Sequence, residues 1–165
     1  MKKSLRKTFN QLKLLNNPQQ RGYELEKLIF KLLQSENLSP SPPYRQPMEQ
    51  IDGLFKFEHR FYLLETKWTN PVSVSDIYIF RAKVESKFMG TAGVFISVNG
   101  YTTDTSEVLR YGRELNVILF DGEDLEFALA SHCSFSTILT VKLRWAAQYG
   151  KVYYPYKHYS RLNEE

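Results

Sequence analysis

The sequence has little of what usually marks a site. Its 165 residues hold one cysteine, Cys133, and three histidines. A single thiol excludes an internal disulfide and any zinc site built on several cysteines. It suits a reducing compartment, and a cytoplasmic location is the expectation. No apolar run approaches the length that spans a bilayer. The opening residues lack the apolar run of about 7–15 residues that a signal peptide carries, so none is expected. There is no internal repeat and no low-complexity tract. Only "SPSPPYRQP" concentrates proline, which argues against helix or strand and predicts a loop.

What is present describes one globular domain. Hydrophobic residues make up 42% and charged residues 24%, enough for a core at this length. The net charge of +4 is unevenly placed. Residues 1–17 hold Lys2, Lys3, Arg6, Lys7 and Lys13 and no acid, whereas residues 18–150 hold 14 basic and 16 acidic residues. The expected organisation is a basic helical arm over residues 1–20, a core over 21–131, and a C-terminal helix with an aromatic tail over 132–165. The arm reads either as a contact for a polyanion or as a solvated leader.

Periodicity outlines the elements. An amphipathic stretch covers residues 4–15, and a firmer helix covers 22–36 with Leu25, Leu28, Ile29, Leu32 and Leu33 on one face. Two strands are predicted at 50–57 and 61–68, close enough for a hairpin. A helix starts at Ser73 or Ser75 and ends near Phe88. "AGVFISV" and "VILF" are buried strands. A helix within "NGYTTDTSEVLRYGRELN" separates them, and "DGEDLEFAL" turns into a short one. Residues 137–149 form the last helix, which Gly150 ends. The tail "KVYYPYKHYSRLNEE" is aromatic. Strands joined through helices predict an α/β fold, a mixed sheet with helices on both faces.

The stretch "LLETKW" then stands out. Side chains alternate across a strand, so Phe61, Leu63, Glu65 and Lys67 share one face. The partner strand reads "QIDGLFKF". With Glu58 and His59 as a two-residue turn, Asp52 opposes Glu65. A turn centred between His59 and Arg60 sets Asp52 against Lys67 instead. Either way Asp52 joins the face of Glu65 and Lys67. A three-residue turn would set it against Thr66, on the wrong face. Two converging carboxylates repel unless a cation lies between them, and oxygen ligands suit Mg²⁺ or Mn²⁺. Such a metal acidifies water, and a neighbouring lysine orients it or offsets phosphoryl charge. Glu-x-Lys alone is uninformative, arising by chance roughly once in a few hundred residues. The apolar strand before it and the facing Asp-Gly give it weight.

"QIDG" followed by "YLLETKW" resembles the PD-(D/E)xK nuclease superfamily, the restriction-endonuclease-like fold, in its Mrr-like branch. "GYELEKLIFKLL" resembles that branch's opening helix, "GVFISVNGYTTD" its middle strand and turn, and "VILFDGEDLEFAL" its closing strand and helix. The resemblance spans residues 21–129. It implies a metal-dependent DNA endonuclease with Asp52, Glu65 and the carbonyl of Thr66 as metal ligands and Lys67 as the catalytic lysine. It places the helix acid on Glu26, at the edge of the metal site, with Glu24 as the competitor. The sequence departs at Gln50-Ile51, where the family often has a proline or Gly-Ile. It also departs at Glu65, where many Mrr-like members have Gln, and at Thr66, where several have Ala, Cys or Val. None of these removes a metal donor. The resemblance further implies a homodimer or larger assembly for duplex cleavage and a role in defence against foreign DNA.

Secondary candidates surround this set. Arg45, Arg81, Lys83 and Lys87 are expected phosphate contacts, although helix lysines and arginines are as often simply solvated. Tyr153, Tyr154, Tyr156 and Tyr159, with Lys157 and Arg161, either stack on bases or pack on the domain. His59 is expected in the hairpin turn, and neither it nor His132 nor His158 reads as a ligand. Gly53 and Gly122 follow aspartates where tight packing is plausible. The rival readings are a nuclease for RNA, single strands or junctions, and a non-cleaving nucleic-acid-binding or assembly module.

Overall fold

The computed structural model describes residues 1–108 and 116–162. The later part of the helix expected in "NGYTTDTSEVLRYGRELN" lies outside them. Helix α1 (Lys2–Leu12) is followed by α2 (Pro18–Ser35). Asn17 caps α2, its side chain accepting from Gln20 N–H, and Pro18 opens the first turn, where no amide is needed. The five predicted leucine and isoleucine positions of α2 are all buried. The basic opening segment is helical, and its apolar side, Leu5, Phe9 and Leu12, is packed into the core.

Two short strands come next, β1 (Tyr44–Gln46) and β2 (Glu49–Ile51), joined through Pro47 and Met48. The proline loop therefore ends earlier than expected. Pro47 presets the turn and Met48 takes a positive φ of 70°, which lets the three proline-free residues before it pair. Strands β3 (Gly53–Phe57) and β4 (Arg60–Lys67) form the hairpin. The strand expected over residues 50–57 is thus divided at Asp52, with β2 pairing to β1 and β3 pairing to β4.

Helix α3 (Val74–Glu85) leads to β5 (Ala92–Ser97), and α4 (Thr103–Val108) precedes β6 (Val117–Asp121). Then follow α5 (Gly122–Ala128), α6 (Phe135–Tyr149) and α7 (Tyr156–Leu162). Gly150 ends α6 with a left-handed φ of 65°. The main sheet runs β3-β4-β5-β6. Its first pair is antiparallel and the other two are parallel, so the expected mixed sheet is present.

Alternation along the strands divides the core. Tyr62, Leu64, Val94, Ile96, Ile118 and Phe120 face one hydrophobic cluster with α1, α2, α5 and α6. Leu63, Phe95, Val117 and Leu119 face the other, with Ile77, Phe80 and Val84 of α3. Glu65 and Lys67 continue the Leu63 row, so they are aimed at α3. Phe9 of α1 packs on Trp68 with ring centroids 5.4 Å apart, closing the other side just past β4.

The tail folds back onto the domain. Tyr153 donates to Asp121 Oδ2 at 2.7 Å, and Tyr154 stacks on Trp145 at 4.1 Å. Beneath it Lys142 and Asp124, each 1% exposed, pair at 2.7 Å. Lys142 also donates to the Tyr154 carbonyl, and Asp124 accepts from Tyr156 N–H. The charges are buried but hydrogen-bonded, the condition for tolerating them. Among the described residues no helix is long and apolar enough to cross a membrane.

Candidate active site

The hairpin register sets the site. Phe57 pairs with Arg60 and Gly53 with Leu64, so the turn is the two residues Glu58 and His59. Glu58 holds a φ of 53° there, a conformation that a hairpin turn requires and glycine would adopt more easily. One step further along this register, Asp52 stands opposite Glu65. Because the strand is broken at Asp52, its carboxylate is not confined to a sheet face. Oδ2 accepts from Thr66 N–H at 2.8 Å and from Thr66 Oγ1 at 3.4 Å.

Thr66 offers a further oxygen. The carbonyl of Lys67 accepts from Val98 N–H, on the β5 side. Successive carbonyls of a strand turn to opposite edges, so that of Thr66 turns to the β3 side, where its N–H already meets Asp52. Both Thr66 bonds reach the same Asp52 oxygen. Asp52 Oδ1 and Glu65 Oε1 take no hydrogen bond from the described residues.

Helix α3 supplies one cation, Lys83, and the partner of another, Asp76 for Lys67. Lys67 Nζ lies 2.6 Å from Asp76 Oδ1. Asp76 is also the third residue of α3 and closes the capping box that starts it, its side chain accepting from Ser73 N–H. The bond from Lys67 holds the Asp76 carboxyl below its ordinary range. Lys83 Nζ lies 2.9 Å from Glu65 Oε2 and also donates to the Gln50 carbonyl. Lys83, expected as a phosphate contact, is thus a member of the site. Sequence reasoning missed both roles. The Ser-x-x-Asp spacing was a visible signal for Asp76, but nothing local pairs Lys83 with Glu65.

The carboxyls are electrostatically uncomfortable. Burial pushes Asp52 up, outweighing its Thr66 bonds and the two lysines. Burial, then the Asp52 charge, pushes Glu65 up despite Lys83. Glu26 is raised from 4.5 to about 7, by burial first and then by Asp52 and Glu65. Glu26 therefore senses both acids, whereas Glu24 pairs with Lys27 at 3.0 Å near the surface. Among the described residues, however, no three Asp, Glu, His or Cys side chains close into a metal cage. Glu26, expected as the helix acid at the edge of the metal site, lies on α2 within the field of Asp52 and Glu65.

Two other expected phosphate contacts are internally paired. Arg81 bridges to Glu85 at 2.6 Å with its side chain 14% exposed. Lys87 is paired with Glu49 and donates to Gln46. Arg45 lies on β1 and remains exposed, in a cleft that Glu26 also lines.

A mixed sheet with helices on both faces, and an acid, acid, lysine set where a hairpin strand is interrupted, define a restriction-endonuclease-like domain. The model of the Mrr catalytic-domain family, described as restriction endonuclease, matches residues 19–129, more than half of the chain. The chain belongs to this family and is a DNA nuclease domain. Among solved structures it resembles the small subunit of the heterodimeric restriction endonuclease R.BspD6I. The TM-score is 0.52 at 12% identity, over 77% of this chain and 76% of that one. It also resembles the DNA modification-dependent restriction endonuclease AspBHI, with a TM-score of 0.50 at 17% identity, over 89% of this chain and 40% of that one. No curated protein matches the chain.

Proposed function

We propose that this domain is a divalent-metal-dependent endonuclease that hydrolyses DNA phosphodiesters, with Mg²⁺ or Mn²⁺ held by Asp52, Glu65 and the Thr66 carbonyl. The carrying observation is the meeting of Asp52, Glu65 and Lys67 at the break between β2 and β3. The donors are all oxygen, the set that these hard cations prefer. Burial raises all three nearby carboxyls, and repulsion from neighbouring acids adds to it at Glu26 and Glu65, a field that a cation would relieve. When bound, such a cation polarises a phosphoryl oxygen and acidifies water.

The chain's own residues supply the rest. Lys67 is steered by Asp76 so that its ammonium stays beside the acids, where it orients water or offsets phosphoryl charge. Lys83 is the standing partner of Glu65 and neutralises it when no metal is bound. Glu26, at the rim, adds negative field toward the cation. Cutting both strands of a duplex calls for two such sites, so we propose that copies of the domain act together. Cytoplasmic defence against foreign DNA is the setting that the family favours.

Supercoiled plasmid incubated with Mg²⁺, Mn²⁺ or EDTA is the test. Nicking or linearisation should require a metal and disappear in Asp52→Asn, Glu65→Gln and Lys67→Ala. No cleavage with either metal at high protein would remove the enzyme reading. Cleavage undiminished by Lys67→Ala would remove the assigned site.

A further inference from the structure

A cleft of about 560 Å³ opens beside the acids and is not used by the chemistry above. Glu26 and Gln50 both line it, and Gln50 is the residue whose carbonyl receives Lys83. The cleft is therefore continuous with the site. Its other walls include Tyr23, Tyr44 and Arg45. Tyr23 is 57% exposed. Lys27 sits over its ring at 4.1 Å from the centroid. Arg45 is exposed and makes no ion pair among the described residues.

We infer that this cleft is a subsite for one unstacked nucleotide next to the phosphate being cut. The inference rests on the nuclease reading and adds the form of substrate. The volume lies within the range of about 300–1,000 Å³ typical of small-ligand clefts, and far below what a duplex needs. Tyrosine rings and a guanidinium plane are the surfaces on which a free base stacks, whatever its identity. A base inside a duplex has both faces covered by its neighbours, so it must leave the stack before it can reach them. Arg45, which also lines the cleft, adds a cation for the flanking phosphate. The occupant is therefore a single strand, or a nucleotide displaced from a frayed or distorted duplex.

Fluorescence anisotropy with a labelled 12-nucleotide single strand and a blunt duplex of the same sequence, in EDTA at fixed salt, tests this. The single strand should bind more tightly than the duplex. Tyr23→Ala and Tyr44→Ala should each weaken single-strand binding by roughly 5- to 100-fold, the effect of one lost stacking surface. Tyr44→Phe should retain it. Because Tyr44 is partly packed, the exposed Tyr23 gives the deciding variant, with a thermal melt confirming that it folds. Single-strand binding unaffected by Tyr23→Ala, or weakened equally on duplex, would overturn the subsite. If plasmid is nicked and binding ignores the tyrosines, the subsite fails while the nuclease stands. If single-strand binding depends on them and no metal supports cleavage, the nuclease reading fails and the place beside a scissile phosphate fails with it, leaving only a base-binding cleft.

Discussion

Glu26→Gln should make the metal-free protein more stable at neutral and alkaline pH, although it removes a charged residue from a helix surface. The carboxyl titrates at about 7 in the fold against an ordinary value of 4.5. Below pH 4.5 it is neutral in both folded and unfolded chains. Between 4.5 and 7 the unfolded chain has released its proton and the folded one has not, so stability falls as pH rises. Above 7 the penalty is complete. That displacement corresponds to roughly 3 kcal/mol between protonation states. Glu26 is only half-buried, and solvent screening brings the expected effect to ~1–2 kcal/mol. For a domain of this size that is a rise of ~2–8 °C in Tm. Circular-dichroism melts in EDTA, taken from about pH 4.5 to about pH 8.5, should show the two proteins converging at the acid end and separating above neutrality. Adding Mg²⁺ or Mn²⁺ at the alkaline end should raise the wild-type Tm more than that of the variant, because the cation relieves the same repulsion. A pH-independent difference, or equal gains from metal, would refute the placement of Glu26 in this field.

Three further perturbations probe the rest. Lys83→Met removes a positive charge from Glu65 and should tighten Mn²⁺ binding by on the order of 1 kcal/mol, roughly fivefold in calorimetry; weaker binding would mean that Lys83 helps to build the metal site. Lys142→Ala leaves the buried Asp124 without its partner and should cost about 3–5 kcal/mol in urea unfolding; a loss under about 1 kcal/mol would show that the pair does not hold the tail. Gly122→Ala would bring a Cβ to 2.3 Å from the Val98 carbonyl oxygen. Backbone cannot give way as a side chain tip can, so about 1–3 kcal/mol should be lost; an unchanged midpoint would show the α5–β5 approach to be looser.

Much of the fold is written in local pattern. The five buried positions of α2, the two continuous apolar strands and the Gly150 stop follow from periodicity and backbone preference. The same logic missed β1, because proline content masked three residues that a Pro47-Met48 turn allows to pair. It allowed the tail to pack on the domain but not what fixes it, because Tyr153 and Tyr156 are held by Asp121 and Asp124, distant in sequence. The acids that Arg81 and Lys87 meet, Glu85 and Glu49, were not legible for a related reason. A charge's availability depends on which acid folds next to it.

The site divides along the same line. Strand alternation alone puts Glu65 and Lys67 on one face, and a two-residue turn suffices to set Asp52 opposite Glu65. Those are consequences of covalent geometry and hairpin pairing, readable from spacing. The break at Asp52, the Lys83–Glu65 and Lys67–Asp76 pairs, and the reach of Glu26 to both acids were decided only in three dimensions. Each depends on how a helix packs on the sheet or at its edge, and packing brings together residues whose separation along the chain carries no signal.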